Sequence, residues 1–339
     1  MKLPLPIRAL LWPFSVVYGA AARLHAWLYV QGVYSRQHLD VPVVSVGNLT
    51  TGGTGKTPMV LWLAEKFLAE HRRVAILSRG YRGADGASDE VGMMKGRLGE
   101  KVVFGVGPDR YKEGKRIEAE HPINLFLLDD GFQHLELIRD FDIVMVDSST
   151  FDSSQWLLPA GTMREPLSAL RRASAVVVTR TRGANRESAV IEEIRAATDA
   201  PVFAAETKLL GWGCLNHGEG ASVASDAIPA LPFFAFCGIG NPDAFFGDVK
   251  GWGIELVGQQ SFRDHHAYTA RDLKLLEERA QQAGAKALLT TEKDIQNLKK
   301  LRFTKLPLYC CRIALEIRGG GELCALIRNK IAARVGNVE

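Results

Sequence analysis

VPVVSVGNLTTGGTGKTP, residues 41–58, decides the fold. An apolar, β-branched run feeds a glycine-rich turn, after which Lys56 and Thr57 open a helix. Gly52, Gly53 and Gly55 let the backbone come close to an anion and turn its N–H groups inward. The helix N-terminus adds the positive end of its dipole. Thr50, Thr51, Gly52, Gly53, Thr54, Gly55, Lys56 and Thr57 are therefore expected to cradle the phosphates of a nucleotide. Lys56 would reach the β- and γ-phosphates, and Thr57 would ligate Mg2+. The pattern G-x-x-x-x-G-K-[ST] asks for glycine at position 50, where this chain has Thr50; the core of the motif is intact.

On either side of this loop, short apolar stretches alternate with helical ones, which predicts a parallel sheet. Strands are expected at Val43–Val46, Val74–Ser78, Leu125–Leu128, Ile143–Val146 and Ala175–Thr179, with helices near 56–70, 108–120 and 186–197. Gly211, Gly213, Gly218, Gly220, Pro229 and Pro232 break the rhythm, so 206–232 reads as a crossing between domains. A second α/β unit begins with PFFAFCGIGNP at 232–242. It continues with a helix over 269–284, a strand Ala287–Thr290 and a helix over 292–301. A strand Pro307–Ile317 and a helix near 321–334 close the chain, the helix packing back on the first domain. The expected fold class is α/β: a P-loop-type three-layer α/β/α domain with a second, smaller α/β domain. The expected boundaries are 1–206, 207–231 as linker, 232–306, and 307–339 as the returning strand and helix.

Composition agrees. At roughly 100–200 residues per domain, 339 residues suggest two. An apolar fraction of 47% with 24% charged residues excludes disordered and fibrous classes. A net charge of +4 is too small an excess to indicate nucleic-acid binding. Cys214, Cys237, Cys310, Cys311 and Cys324 are odd in number and form no C-x-x-C, so they are neither a disulfide framework nor a zinc site, and they point to a reducing compartment. Residues 7–30, IRALLWPFSVVYGAAARLHAWLYV, show no signal-peptide cleavage pattern. They contain no uninterrupted apolar run of about 18 residues, a poor fit to a spanning helix. Arg8, Ser15 and Arg23 fall within about 80° of one another on a helix that is otherwise broadly apolar. That pattern suits an interfacial membrane anchor; a buried first helix is the alternative.

A second acidic signal is LFLLDDGFQH at 125–134. A strand ending in Asp129-Asp130 resembles a Walker B strand, whose carboxylate holds Mg2+ directly or through water. A helix-capping aspartate is the alternative, and which of the two serves the metal stays open. Guanine-specific relatives carry N-K-x-D after a strand. Here the matching strand ends in Thr179-Arg180-Thr181-Arg182, which favours ATP.

Further motifs are SRGYRG at 78–83, SDE at 88–90, LPAGTMREP at 158–166, GIGNP at 238–242, FRDHHAY at 262–268 and TEKD at 291–294. In this order, with the phosphate loop and DDGFQH, they resemble the tetraacyldisaccharide 4′-kinases of lipid A biosynthesis in Gram-negative bacteria. The resemblance runs from the N-terminal helix to TEKD. It implies a kinase that uses ATP and Mg2+ to phosphorylate the 4′-hydroxyl of a tetraacyl glucosamine disaccharide 1-phosphate, giving the 1,4′-bisphosphate lipid IVA. It also implies two α/β/α domains joined by a two-stranded linker, and a peripheral or monotopic place on the cytoplasmic face of the inner membrane. The lipid A disaccharide 1-phosphate and the membrane surface are the expected partners, with no nucleic acid and no obligate protein partner.

By the same resemblance, Lys56 and Thr57 are phosphate and Mg2+ groups, and Asp129 and Asp130 are the Walker B pair. Glu165 is an acidic residue near the metal, and Asp89 and His265 form a base pair in which the carboxylate orients or charges the imidazole. The family's acidic loop reads G-D-E-P, whereas here it is Ser88-Asp89-Glu90-Val91. Taken without the family, Asp89 reads as a solvated loop residue, His265 as a surface histidine beside His266, and Glu165 as a partner for an arginine. Arg79, Arg82 and Arg164 suit a glycolipid phosphate, with Tyr81 placed to stack on a sugar; each also reads as solvated or packed. The face of the TEKD helix carrying Lys293, Lys299 and Lys300 reads as solvated.

Phosphoryl transfer to an alcohol needs in-line geometry and charge neutralisation. A positioned proton acceptor is worth about 10²–10⁴-fold, and a closing two-domain cleft keeps water out. Asp89 and His265 fall in different expected domains, so their cooperation would depend on such a cleft. Two rival readings share the phosphate loop: a membrane-associated P-loop ATPase of partitioning or metal-insertion type, and a nucleotide-dependent membrane adaptor without a catalytic base.

Overall fold

The structure, a computed structural model, describes residues 4–80, 89–152, 155–181, 184–215, 222–224, 229–298, 301 and 305–335. Helix α1 (Leu5–Val30) leads into β1 (Val43–Asn48), α2 (Lys56–Ala69), β2 (Val74–Ser78), α3 (Asp89–Leu98), β3 (Val103–Val106) and α4 (Arg110–Glu120). Next come β4 (Leu125–Asp129), β5 (Phe141–Asp147), β6 (Ala175–Thr179), α5 (Ala184–Ala197), β7 (Val202–Leu215), β8 (Ser222–Ala224) and β9 (Phe233–Cys237). The chain closes with α6 (Pro242–Gly251), β10 (Leu256–Ser261), α7 (Ala270–Gln282), β11 (Ala287–Thr291), α8 (Glu292–Leu298), β12 (Leu308–Ile317) and α9 (Gly320–Val335). Two compact units result. The first is Met1–Gly80, Leu98–Glu206 and Glu316–Glu339; the second is Tyr81–Arg97 and Thr207–Leu315.

In the first unit, strands run β3-β2-β4-β1-β5-β6-β7, all pairs parallel. Every residue of β1, β2, β4, β5 and β6 is buried, which is why these strands read as continuous apolar runs rather than alternations. Leu77, Phe126 and Leu128 join one core cluster with Ile117 of α4. Val144, Val146, Val176 and Val178 join another with Val190 and Ile194 of α5. Asp129 and Asp147 end β4 and β5, and Ser78 and Thr179 end β2 and β6. All four therefore sit at the carboxyl edge, where open α/β sheets bind ligands. Helix α9 belongs to this unit: Arg328 bonds Glu70 at 2.7 Å, and Arg334 pairs with Asp140.

Helix α1 overturns the alternative of a buried first helix. Only Ser15 and Gly19 on it are buried, while Leu5, Leu10, Trp12, Phe14 and Val17 are exposed. The Ser15 hydroxyl donates to the Leu157 carbonyl at 2.9 Å and accepts from the Ala160 N–H at 3.0 Å. The Arg8 guanidinium lies 4.8 Å from the centre of the Trp156 ring. Arg8 and Ser15 of the polar stripe thus face the protein, whereas Arg23 and much of the apolar surface are exposed. By length and composition alone, α1 would suffice to cross a membrane.

In the second unit, β10-β9-β11-β12 are parallel neighbours. Side chains alternate across a strand, so Phe234 and Phe236 of β9 pack with α7 and α8, while Phe233, Ala235 and Cys237 pack with α6. The stretch read as a crossing contains the antiparallel pairing of β7 with β8, Trp212 opposite Ala224. All five cysteines are buried and none forms a disulfide.

Two expectations differ from what is found. Residues 89–97 group with the second unit although they lie between β2 and β3 in the chain, so the compact units do not follow a first domain of 1–206. Residue 89 opens a helix rather than sitting in a loop. Gly92 and Gly96 weaken any local helical signal, and α3 forms through docking: Val91 and Met94 are fully buried, and Arg97 pairs with Glu292 at 3.3 Å.

Candidate active site

The phosphate loop joins β1 to α2 as expected. Gly52 and Gly55 have φ of 117° and 90°, the left-handed region that favours glycine. Gly55 is the N-cap of α2 and no side chain caps the helix, so its first-turn N–H groups face outward for an anion. Thr50 makes an antiparallel bridge to Met163 and has no positive φ; extended backbone needs no glycine, which accounts for the departure from the motif. The loop is tied down from three sides. Asn48 Nδ2 donates to Thr54 Oγ1 at 3.0 Å, Thr179 Oγ1 to the Thr54 carbonyl at 3.2 Å, and the Thr51 N–H to the Thr162 carbonyl at 2.8 Å. Arg180, in the stretch that lacks N-K-x-D, bonds the Gly53 carbonyl at 3.3 Å and pairs with Asp147.

The DDGFQH turn lies beside this loop. Register sets Val46 opposite Asp129. Gly47 is required: a Cβ there would come within 2.5 Å of Phe132 Cβ and 2.7 Å of its backbone nitrogen. Asp129 is buried and accepts from Ser78 Oγ at 3.4 Å. Asp130 has φ of 51°, and its carboxylate meets Lys56 Nζ at 3.5 Å and Arg164 at 2.9 Å. Burial pushes the Asp130 carboxyl up, but the neighbouring ammonium and guanidinium reverse this and hold it below the usual range. Glu165 is gripped by Arg172 at 2.8 and 3.0 Å and accepts from Gln133 Nε2 at 3.0 Å. Of the four expected metal-site residues, Asp130 and Glu165 are held by cations, while Thr57 opens α2 and Asp129 ends β4. A hydroxyl and carboxylates are the hard oxygen donors that Mg2+ takes, and it keeps several waters and needs only one or two protein ligands.

The sequence reading gave no role to a cationic cluster in this unit. Arg110 at the start of α4, Arg139 and Arg79 all act on His134; burial first, then their charges, push its imidazole down to about 4. Arg79 is exposed. His134 was in view as the end of DDGFQH, but nothing local assigned it. Tyr81 and Arg82 lie outside the described residues.

The second unit carries the other expected group. Asp89 and His265, 176 positions apart, meet: His265 Nδ1 lies 3.2 Å from Asp89 Oδ2. Contrary to the domain expectation, both belong to one compact unit. Contrary to its reading as a solvated residue, the side chain of Asp89 is 8% exposed, against 39% for His265. Asn297 Nδ2 also donates to Asp89, at 2.8 Å; no motif flagged it. Burial pushes the Asp89 carboxyl up, yet the bonds from His265 and Asn297 prevail and hold it below its ordinary value. The bond to Asp89 raises the His265 imidazole, against burial and the charge of Lys293. His265 has φ of 57°, and its N–H donates to the Gly238 carbonyl at 3.1 Å, so GIGNP fixes the turn that presents the imidazole. His266 bonds Asp272 instead, at 3.2 Å, and is not interchangeable with His265.

The family profile described as Tetraacyldisaccharide-1-P 4′-kinase matches residues 7–332. The chain belongs to the tetraacyldisaccharide 4′-kinase family. Relatives carrying that name include one from Geobacter sulfurreducens, 38% identical over 90% of this chain and 87% of its own length. Another, from Desulfotalea psychrophila, is 33% identical over 89% and 90%. The crystal structure of LpxK from Aquifex aeolicus in complex with ATP superposes with a TM-score of 0.74 at 30% identity, covering 96% of this chain and 99% of that one. A tetraacyldisaccharide 4′-kinase is an ATP-dependent kinase of lipid A biosynthesis acting on the disaccharide 1-phosphate, and the P-loop α/β fold fits that chemistry. The ATPase of partitioning or metal-insertion type is not favoured.

Proposed function

We propose that the first unit holds MgATP and that Asp89 and His265 act on the acceptor hydroxyl. The N–H groups of Gly52–Thr57 and the Lys56 ammonium bind the β- and γ-phosphates. Thr57 at the start of α2 and Asp129 at the carboxyl end of β4 would supply oxygens to Mg2+, which when bound neutralises charge on the transferring phosphate. Asp130 and Glu165, each tied to a guanidinium, keep Lys56, Arg164 and Arg172 in place around that charge. His265, oriented by Asp89, takes the 4′-hydroxyl proton on Nε2 as the oxygen attacks the γ-phosphorus. The bridging oxygen leaves with its electron pair on ADP. Arg79, Arg164, Tyr81 and Arg82 are assigned to the sugar and phosphate of the acceptor. Helix α1 lays its exposed apolar residues into the cytoplasmic face of the inner membrane, where the acyl chains of the substrate reside.

The observation that carries this reading is the Asp89–His265 contact, with the carboxylate buried and the imidazole open to solvent. An ATPase with a conformational output has no use for such a pair. The test is transfer from labelled ATP to tetraacyldisaccharide 1-phosphate in detergent micelles, with ATP turnover measured in parallel without lipid. The reading expects lipid-dependent transfer that falls at least about 10²-fold in His265→Gln. A near-normal kcat in that variant would remove His265 from the mechanism.

A further inference from the structure

Each charged residue of TEKD is tied to a different part of the second unit. Glu292 pairs with Arg97 of α3 and Arg312 of β12, both at 3.3 Å. Asp294 is buried and accepts from the Gly238 N–H at 2.9 Å, the Tyr268 hydroxyl at 2.9 Å and Thr291 Oγ1 at 2.6 Å. It thereby clasps the turn that carries His265. Lys293 is not the solvated residue its helix suggested: its side chain is 16% exposed and its Nζ has three partners. They are Glu90 Oε1 at 3.3 Å, Asp264 Oδ1 at 3.1 Å and His265 Nε2 at 3.3 Å.

A lysine ammonium has three donors and no acceptor. The ammonium can only donate, so its contact with His265 is a hydrogen bond when Nε2 accepts; Asp264 Oδ1 lies farther from Nε2, at 3.8 Å. In a neutral imidazole the other nitrogen then carries the hydrogen, and Nδ1–H donates to Asp89. A protonated imidazole would instead bring an N–H to within 3.3 Å of an ammonium, with the Asp264 carboxylate farther off at 3.8 Å. Among the described residues, the charged groups acting on His265 are Asp89 and Glu90 from α3, Asp264 beside it in the chain and Lys293 from α8. Lys293 is the only cation among these four.

We propose that Lys293 is a positioning residue for the acceptor base, holding His265 neutral with its lone pair on Nε2. The proposal rests on the assignment of His265 as that base. When the hydroxyl arrives, Lys293 keeps Glu90 and Asp264 and yields only its bond to Nε2. The nitrogen facing solvent is then the one ready to take a proton, so no tautomer change precedes transfer. Burial opposes the charge on Lys293, but Glu90 and Asp264 more than offset it and raise its pKa, so the ammonium persists as pH rises.

The test is 15N NMR on enzyme labelled in histidine, with the His265 signals assigned by their loss in His265→Gln. In the unaltered protein near pH 8, the proposal expects protonated Nδ1 and bare Nε2; the opposite tautomer overturns it without any variant. In Lys293→Met the imidazole titration should move up by about one pH unit, since a close cation is removed and two carboxylates are freed. The acid limb of kcat should move with it, lowering the rate about tenfold at pH values below both limbs. KM for ATP should stay within about twofold of normal, because Lys293 lies outside the phosphate loop, and Lys293→Arg should restore most of the shift. Superimposable titrations in Lys293→Met and the unaltered protein would refute the coupling. If the titration moves while His265→Gln retains kcat, the coupling stands, but the base assignment fails and the role in positioning a base fails with it.

Discussion

Asp89→Asn changes almost nothing in shape and removes one charge beside His265. Two unit charges about 4 Å apart attract by about 4 kcal/mol at the effective dielectric of a protein surface. His265 is 39% exposed, and exposed pairs retain only about 0.2–1 kcal/mol, whereas breaking a buried pair costs about 3–5 kcal/mol. With Asp89 buried and His265 open, about 1–2 kcal/mol is the reasonable value, which is about one pKa unit. The bond to Asp89 is the leading cause raising the imidazole, so its loss lowers the pKa of His265. The active form is the neutral imidazole, so the acid limb of kcat should move down by about one pH unit. The plateau should fall about 10²-fold or more, because the imidazole is a weaker base and its Nδ1–H is no longer oriented by a carboxylate. This shift is opposite in sign to that of Lys293→Met, so the two variants distinguish the groups on the two nitrogens. The assay is transfer to the disaccharide 1-phosphate between about pH 5 and 9 at saturating ATP. An acid limb that stays put or moves up, or a plateau within about twofold of normal, would refute the reasoning.

Lys56→Ala should cut kcat by several orders of magnitude and Thr57→Ala nearly as far, since each removes charge stabilisation worth several kcal/mol; a tenth of normal rate in Lys56→Ala, by the same assay, would be incompatible with the phosphate-loop assignment. Asp294→Ala leaves the Gly238 N–H and Tyr268 hydroxyl without their partner and should cost about 2–4 kcal/mol in urea unfolding, against about 1 kcal/mol for Tyr268→Phe. Serines in place of Trp12, Phe14 and Val17 should weaken sedimentation with anionic vesicles while leaving ATP affinity within about twofold, because these side chains are exposed on α1 and none belongs to the phosphate loop. Asp89 has its carboxyl lowered, so its stabilising effect is full above about pH 4 and lost as pH falls through its folded value. His265 is raised, so its share is full below about pH 6.5 and lost as pH rises through its folded value. A double-mutant cycle on the pair should therefore give a larger coupling energy at about pH 5.5 than at about pH 9; equal values would mean that the pair is not ionic.

The first unit was legible because its signals are local. A strand, a glycine turn and a helix follow one another within residues 41–58, and a fully covered parallel strand announces itself as an apolar run. That was enough to foresee every strand of its sheet except β3, where only Gly105 of its four residues is buried, and β7. The sequence was silent on α3, whose glycines work against a helix until Val91 and Met94 are buried, and on Glu165, whose partner could only be guessed among several arginines. Arg172 proves to be that partner.

What the sequence by itself determined is the glycine turn between strand and helix, the acidic end of β4, and the family and hence the reaction, since the first two are contiguous runs and the third rests on the order of motifs along the chain. What only the tertiary structure decided is the company each group keeps. Asp89, His265, Lys293 and Asn297 come from three separate stretches, and no periodicity links positions 176 or 208 apart. Their meeting depends on α3 docking with the second unit and on Asp294 clasping the His265 turn. A buried carboxylate such as Asp89 is tolerable only where donors surround it, and the fold alone supplies them.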